Sequence, residues 1–291
     1  MKAEDDALHA RIHAAMLAQD PDGIFGPRVS LFDRVERALD VTLSGRMLDV
    51  GSGNGYASIW LAQHRDVEEV VALEASEAAV TELLPRNIAH HGVADRVRPM
   101  LGSFDAIGET AAFDHAVAFG ALHHSACLYS TMASVSAALR EGGLLIAHEP
   151  VMPDTTSNAR YLAKYDVIER MHGMEIRNGD RDDHFFRHAE YVVAAAFNEL
   201  DLVLDRDGEL ATGLAGLRRR FGRWRRRRSR AAELAATGSN ASRVSDHTAG
   251  LASRLMVFRK RSGPYVPHRW RALATSAAAP IGNPAAAREK D

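Results

Sequence analysis

"RMLDVGSGNGYASIWLA", residues Arg46 to Ala62, organises this chain. An apolar run carrying an acid, Asp49, gives way to glycines at alternate positions, Gly51, Gly53 and Gly55, and then to a helix-forming segment. Glycines at that spacing remove the Cβ atoms that would hold a ligand off the backbone, and the helix that follows offers unsatisfied N–H groups. A pyrophosphate uses such a place. Dinucleotide loops, however, have G-x-G-x-x-G, whereas this loop is G-x-G-x-G with Tyr56 next.

Along the chain, apolar strands are predicted at Arg46–Val50, Glu69–Glu74, Val97–Leu101, His115–Phe119 and Leu144–His148. Helical patterns separate most of them, at Tyr56–His64, Glu77–His91 and Ser125–Arg140, the last closing on "REGG" with glycines as a left-handed cap. Two further helical patterns, 5–18 and 29–40, precede the first strand and flank the breaker "DPDGIFGP". After Glu149 a largely helical segment runs to about Asn198, followed by strand-like "LDLVLD" and "SRLMVFRK". Alternating strands and helices predict an α/β fold with a parallel sheet covered on both faces. Ligands bind such sheets beyond the carboxyl ends of the strands, where both the glycine loop and Glu74 fall. A carboxylate there can accept the hydroxyls of a ribose.

Composition sets the outer limits. The 291 residues are 46% hydrophobic and 25% charged, ordinary for a globular protein with a proper core. The single cysteine, Cys127, excludes an intramolecular disulfide framework and reads as a small buried apolar group. "MKAEDDALHARIHAAM" places three acids before any apolar stretch, unlike a secretory signal, and no window nears the roughly 18 to 20 apolar residues of a membrane span. A cytoplasmic protein is the expectation. The net charge of −2 conceals an asymmetry: nine of the thirteen residues from Arg218 to Arg230 are arginine. Without those nine, 27 basic residues face 38 acidic ones, leaving −11. A basic segment rides on an acidic body.

"LDVGSGNG", "VVALEAS", "MLGSFDAI", "FDHAVAFGALHHS" and "LREGGLLIAHEP" follow one another in an order that resembles the motif series of class I S-adenosylmethionine-dependent methyltransferases. The resemblance covers about Arg46 to Pro150. It implies S-adenosylmethionine as cofactor and a Rossmann-like seven-stranded sheet whose last strand is antiparallel, with helices on both faces. Asp49, Gly51, Ser52, Gly53 and Gly55 would line its methionine and ribose parts, Glu74 would hold the ribose diol, and Ala75 would lie beside the adenine. Ser103 and Phe104 stand where the family contacts the adenine edge, with Ser103 in place of a frequent Asp. Phe119 and Gly120 would reach the methionine end through their backbone. The chain then divides into an N-terminal helical cap (1–40), a cofactor-binding core (41–150), a helical lid (151–200), two last strands with an Arg-rich insertion (201–262) and a disordered tail (263–291).

Methyl transfer needs positioning, and a base only where the nucleophile carries a proton at neutral pH. His123, His124, Glu149, His184 and His188 are the candidates. His184 and His188 stand four apart beside Asp182 and Asp183, a solvated turn rather than a metal site, and no metal is assigned. The motif N/D-P-P-Y/F is missing after the fourth strand, where "GALHHS" stands, and Cys127 has no adjacent proline. Both departures speak against a nucleobase methylase and for a small-molecule acceptor, anionic if the arginine run closes over it, such as a natural-product or sugar intermediate. Two alternatives stay open: a nucleic-acid or ribonucleoprotein methyltransferase using the arginine run, and a cofactor-binding module without transfer chemistry.

Overall fold

A computed structural model describes residues 17–125, 127–152, 186–207 and 252–263. Seven strands form one sheet: β1 (Gly45–Val50), β2 (Val67–Glu74), β3 (Val97–Leu101), β4 (Phe113–Phe119), β5 (Leu139–Val151), β6 (Leu200–Asp207) and β7 (Ala252–Lys260), in the order β3-β2-β1-β4-β5-β7-β6. β1 to β5 pair in parallel, and β7 runs antiparallel between β5 and β6. β6 therefore points the same way as β1 to β5. The expected doubly wound sheet with a reversed last strand is present.

Strand alternation sends successive side chains to opposite faces, and both faces are covered. Leu48, Ala116, Leu145 and Met256 pack against α4 (Leu128–Ala138) and α5 (His188–Phe197). Met47, Val117, Ile146 and Val257 pack against α1 (Ser30–Leu39), α2 (Tyr56–His64) and α3 (Leu84–His90). The segment read as a breaker folds as two 3-10 turns, Pro21–Ile24 and Pro27–Val29, each opened by a proline at the first helical position. Those turns deliver Arg28 to the carboxyl end of β4.

Two expectations are corrected. "REGG" does not cap a helix: α4 ends at Ala138, and Leu139 already pairs with Phe113 in the sheet. Residues 140–143 are looped out before His115 pairs with Leu144. That bulge needs Gly142 at φ +78° and leaves no space for a Cβ on Gly143, 2.6 Å from the Asp114 carbonyl oxygen. Cys127 is exposed, not buried. It is the extended N-cap residue of α4 and so stands off the helix's apolar face. The pattern at 5–16, most of the lid, His184, the Arg218–Arg230 run and the tail beyond Gly263 lie outside the described residues. Among the described residues no helix is long and apolar enough to cross a membrane.

Candidate functional site

The glycine loop, the end of β2 and the end of β4 meet at the carboxyl edge of the sheet. Ser52 donates its N–H to the Leu73 carbonyl, and Gly102 donates to the Glu74 carbonyl, so the ends of β1, β2 and β3 are tied together. The three glycines are there for different reasons. A Cβ on Gly51 would stand 2.6 Å from the Ala121 Cβ, and one on Gly55 2.7 Å from Leu84 Cδ2, so both are fixed by packing. Gly53, at φ +56°, has nothing within 4 Å of its Cβ position. It faces open space.

Glu74 is half-buried at this edge. Its Oε2 accepts from Gly53 N–H at 2.9 Å, and its Oε1 from the N–H groups of Ala75 and Ser76 at 2.9 and 3.0 Å. A carboxylate has about four lone-pair positions. One is left, so holding both hydroxyls of a ribose requires the Gly53 N–H to give way to one of them. Ser52 is buried, with a hydroxyl oxygen that has no partner among the described residues. A buried orphan in a ligand loop fits a group that arrives with the ligand.

Asp49 lies deeper. Its Oδ2 accepts from the Ser58 N–H and hydroxyl at 3.1 and 2.6 Å, and burial raises its pKa to about 6 against those bonds. Tyr56 N–H is satisfied by Asn54 Oδ1 and Ile59 N–H by the Gly55 carbonyl. The first turn of α2 is thus largely used internally, with a carboxyl group at its start. That disfavours a pyrophosphate and suits a cofactor that is cationic where it meets the loop. Ala75 and Ser103 are exposed at the ends of β2 and β3, and Ser103 Oγ accepts from Asp105 N–H at 3.2 Å. Phe104 is half-buried against the core. Ser103 and Phe104 both follow β3 at the same edge of the sheet as Glu74.

At the end of β4, Gly120 N–H bonds the His148 carbonyl at 3.0 Å. Arg28 Nη1 donates to the Phe119 carbonyl at 3.3 Å and lies 3.2 Å from the Gly120 Cβ position. Tyr56 completes this corner, its ring stacked 6.4 Å from that of Phe119. Its hydroxyl is buried beside the Arg28 guanidinium. Burial pushes the phenol up to about 12, partly offset by the Arg28 charge.

Of the five base candidates, the structure joins two. His123 Nδ1 lies 2.8 Å from Glu149 Oε2, and Glu149 Oε1 accepts from Ala121 and Leu122 N–H at 3.0 and 3.1 Å. Glu149 is fully buried; burial pushes its carboxyl up, but His123 and the two amides outweigh that and hold it below the usual range. An ionised carboxylate only accepts, so the shared proton sits on Nδ1. Glu149 is committed to these three bonds. It builds the loop and orients His123. The His124 ring packs 4.1 Å from that of His123. His188 Nε2 lies 3.2 Å from Asp205 Oδ2, which also pairs with Arg254, and belongs to that ion cluster.

Sequence reasoning missed Arg28, Tyr56 and His148. His148 is 2% exposed, on the opposite sheet face from Glu149, with its ring 6.3 Å from Phe119. Burial, reinforced by the Arg28 charge, lowers its pKa to about 4. The available signal was its parity: in a strand covered on both sides, the residue before Glu149 must face the other layer.

Residues 48–145 match a family model described as "Methyltransferase domain". A tRNA U34 carboxymethyltransferase of Methylococcus capsulatus is 31% identical over 116 residues, 39% of this chain. The chain spans about a third (34%) of that curated relative. Among solved structures, a Galdieria sulphuraria protein described as a sarcosine dimethylglycine methyltransferase superposes with a TM-score of 0.60 at 16% identity, covering 80% of this chain and 85% of that one. The geranyl diphosphate C-methyltransferase of Streptomyces coelicolor A3(2), solved with geranyl diphosphate and S-adenosyl-L-homocysteine, gives 0.53 at 15% identity, covering 79% and 77%. At these identities the structural likeness is one of fold.

Proposed function

We propose that this chain, which carries a class I S-adenosylmethionine-dependent methyltransferase domain, methylates an oxygen or nitrogen of a small molecule. The observation that carries the reading is the cradle formed by Glu74 and the open Gly53, with the orphan Ser52 hydroxyl beneath it. The residues fit the cofactor. Glu74 would hold the ribose, Ser52 and Gly53 its path along the loop, and the Phe119–Gly120 backbone its methionine end. When bound, S-adenosylmethionine supplies an electrophilic methyl group that an acceptor displaces in line. The chain's own contribution is to seat both partners, exclude water with Phe119 and the rings stacked on it, Phe32 and Tyr56, and take a proton at His123 where the acceptor is a hydroxyl. His148, with a pKa near 4, is too weak a base for that step.

A small acceptor is supported by the sequence after β4, which lacks the nucleobase-methylase motif, and by the sarcosine- and geranyl-diphosphate-named neighbours. The match to a tRNA enzyme, with the arginine run, favours the nucleic-acid reading instead. The two separate cleanly. Salt-sensitive, saturable tRNA binding that is lost on deleting residues 216–232 would replace the small-molecule reading, since 6–10 phosphate contacts cost about 10³–10⁵ in affinity between 50 and 200 mM salt.

Calorimetry with S-adenosylhomocysteine tests the cofactor site. Glu74→Ala is expected to weaken binding by about 1.5 to 3 kcal/mol, the scale of hydrogen bonds to a charged group. Gly53→Val should cost at least as much, because its side chain enters the open path. Unchanged affinity in both variants would remove the cradle from the cofactor role. Tight binding with no transfer to any acceptor would favour the non-catalytic module.

A further inference from the structure

Asp22, in the turn Pro21–Ile24, meets His90 and His91 at the end of α3. One carboxylate oxygen of Asp22 and one ring nitrogen of each histidine all lie within 4.8 Å of one another. Residues adjacent on a helix do not ordinarily face one point. Here specific contacts turn both rings to the same place. His90 Nε2 lies 2.8 Å from Asp22 Oδ1, and His91 Nε2 lies 2.9 Å from the carbonyl of Pro21, the residue before Asp22. Phe25 meets the His91 ring edge-on at 5.0 Å, and the two imidazoles stand almost perpendicular with their centroids 5.0 Å apart.

The backbones that carry the three donors are held by other bonds. Arg86, one turn before His90, donates to the Leu17 and Gln19 carbonyls, and Gln63 Nε2 donates to the His91 carbonyl at 3.3 Å. The Asp22 N–H is tied back to Asp20 Oδ1 at 3.1 Å. The donors are thus preorganised, and only side chains adjust to a ligand. The Asp22 carboxylate and the Pro21 carbonyl only accept, so His90 donates from Nε2, and His91 carries its proton on Nε2 and its lone pair on Nδ1. An imidazole N–H given to a backbone carbonyl is the outer support that metal-held histidines keep. Between His90 and Asp22 a metal ion takes the place of the proton, which is released. Tetrahedral bonds of about 2.0–2.2 Å set ligand atoms roughly 3.4 Å apart, so that pair opens by about half an ångström. Asp22 and His90 are exposed, so wider separations close by rotation of their side chains.

We propose that Asp22, His90 and His91 bind one divalent cation of the zinc class, with water completing its coordination, and that the ion clamps the N-terminal turn to α3. Two imidazoles and one carboxylate suit Zn²⁺ and its neighbours Co²⁺ and Ni²⁺, whereas Mg²⁺ and Ca²⁺ take oxygen ligands. The clamp joins the two elements that brace the glycine loop and the end of β4. α3 holds the loop through Asn87 Nδ2, which donates to the Asn54 carbonyl at 2.8 Å, and the turn leads into Arg28 at the Phe119 carbonyl. The assignment rests on the donor set alone and is independent of the methyltransferase reading.

The test is calorimetric titration of the chelator-treated full chain with Zn²⁺, set beside the double variant His90→Gln/His91→Gln and the single variant Asp22→Asn. Other histidines and Cys127 can also take Zn²⁺, so the reading is the difference between the proteins. Wild type should bind one equivalent more than the double variant, in its tightest class. Asp22→Asn should weaken that class about tenfold or more, since losing even an outer partner of a metal costs about 10–100-fold. A large excess of Mg²⁺ should not displace the Zn²⁺. Zn²⁺ should raise the thermal midpoint of wild type and not of the double variant, as a ligand of the folded state does. Equal Zn²⁺ stoichiometry in wild type and the double variant, displacement by Mg²⁺, or a midpoint raised equally in both would overturn the proposal. If the double variant is already destabilised without metal, Asp22→Asn decides alone, and unchanged Zn²⁺ affinity there removes the site.

Discussion

His123→Ala is expected to lower single-turnover methyl transfer to a hydroxyl acceptor about 10²–10⁴-fold, the range for a positioned general base. Affinity for S-adenosylhomocysteine should stay at the wild-type value, because no bond to the cofactor cradle is removed. Glu149 acts through His123 and through the loop, so its variants split the two effects. Glu149→Ala removes the acceptor for His123 and for the Ala121 and Leu122 amides in a fully buried place. Breaking such a pair costs about 3–5 kcal/mol of stability, read from denaturant midpoints. Glu149→Gln keeps a carbonyl for the two amides, but its NH₂ turned toward His123 forces the proton onto Nε2. It should lose transfer as His123→Ala does, with a much smaller loss of stability. Near-normal single-turnover rates in both His123→Ala and Glu149→Gln would sink the base assignment and leave positioning as the whole of the chemistry.

The sheet was legible because strands buried on both faces read as continuous apolar runs, and the helix between β1 and β2 begins and ends where its pattern does, at Tyr56 and His64. The site was legible where a backbone feature makes it: alternate glycines and an acid at a strand end are local facts. Pairings across the fold were not. Glu149 read as a base candidate because nothing in "AHEP" shows that it accepts from the Ala121 and Leu122 amides, 28 and 27 residues away. Arg28 sits in a stretch whose prolines and glycines read as a breaker, yet those prolines open the turns that aim it at Phe119. The glycines of "REGG" carry the same local signal in a helix cap and in a bulge. Only pairing with β4 distinguishes them.

Asp49→Asn and His148→Phe are expected to change stability with opposite dependence on pH. Asp49 has a folded pKa of about 6 against an ordinary 3.8, so the native state holds its proton more tightly than the unfolded chain does. For a carboxyl shifted upward, stability falls as pH rises through this window, by roughly 1.4 kcal/mol per pH unit, and the cost is complete above pH about 6. Asparagine keeps an oxygen for Ser58 and never ionises. Its advantage over wild type should be on the order of 3 kcal/mol at pH 7.5 and about half that at pH 5. His148 has a folded pKa of about 4 against an ordinary 6.5, so the unfolded chain takes up its proton first. Its neutral form carries no penalty at pH 7.5, and stability is lost as pH falls below about 6.5, by about 2 kcal/mol at pH 5. Phenylalanine beside Phe119 removes that slope. In wild type the two groups largely cancel over this range, which conceals both until each is replaced. His115, also held low by burial, is common to every variant and drops out of the differences. Denaturant melts of the three proteins at pH 5, 6 and 7.5 check the signs, and parallel stability curves would show that neither group titrates as its burial requires.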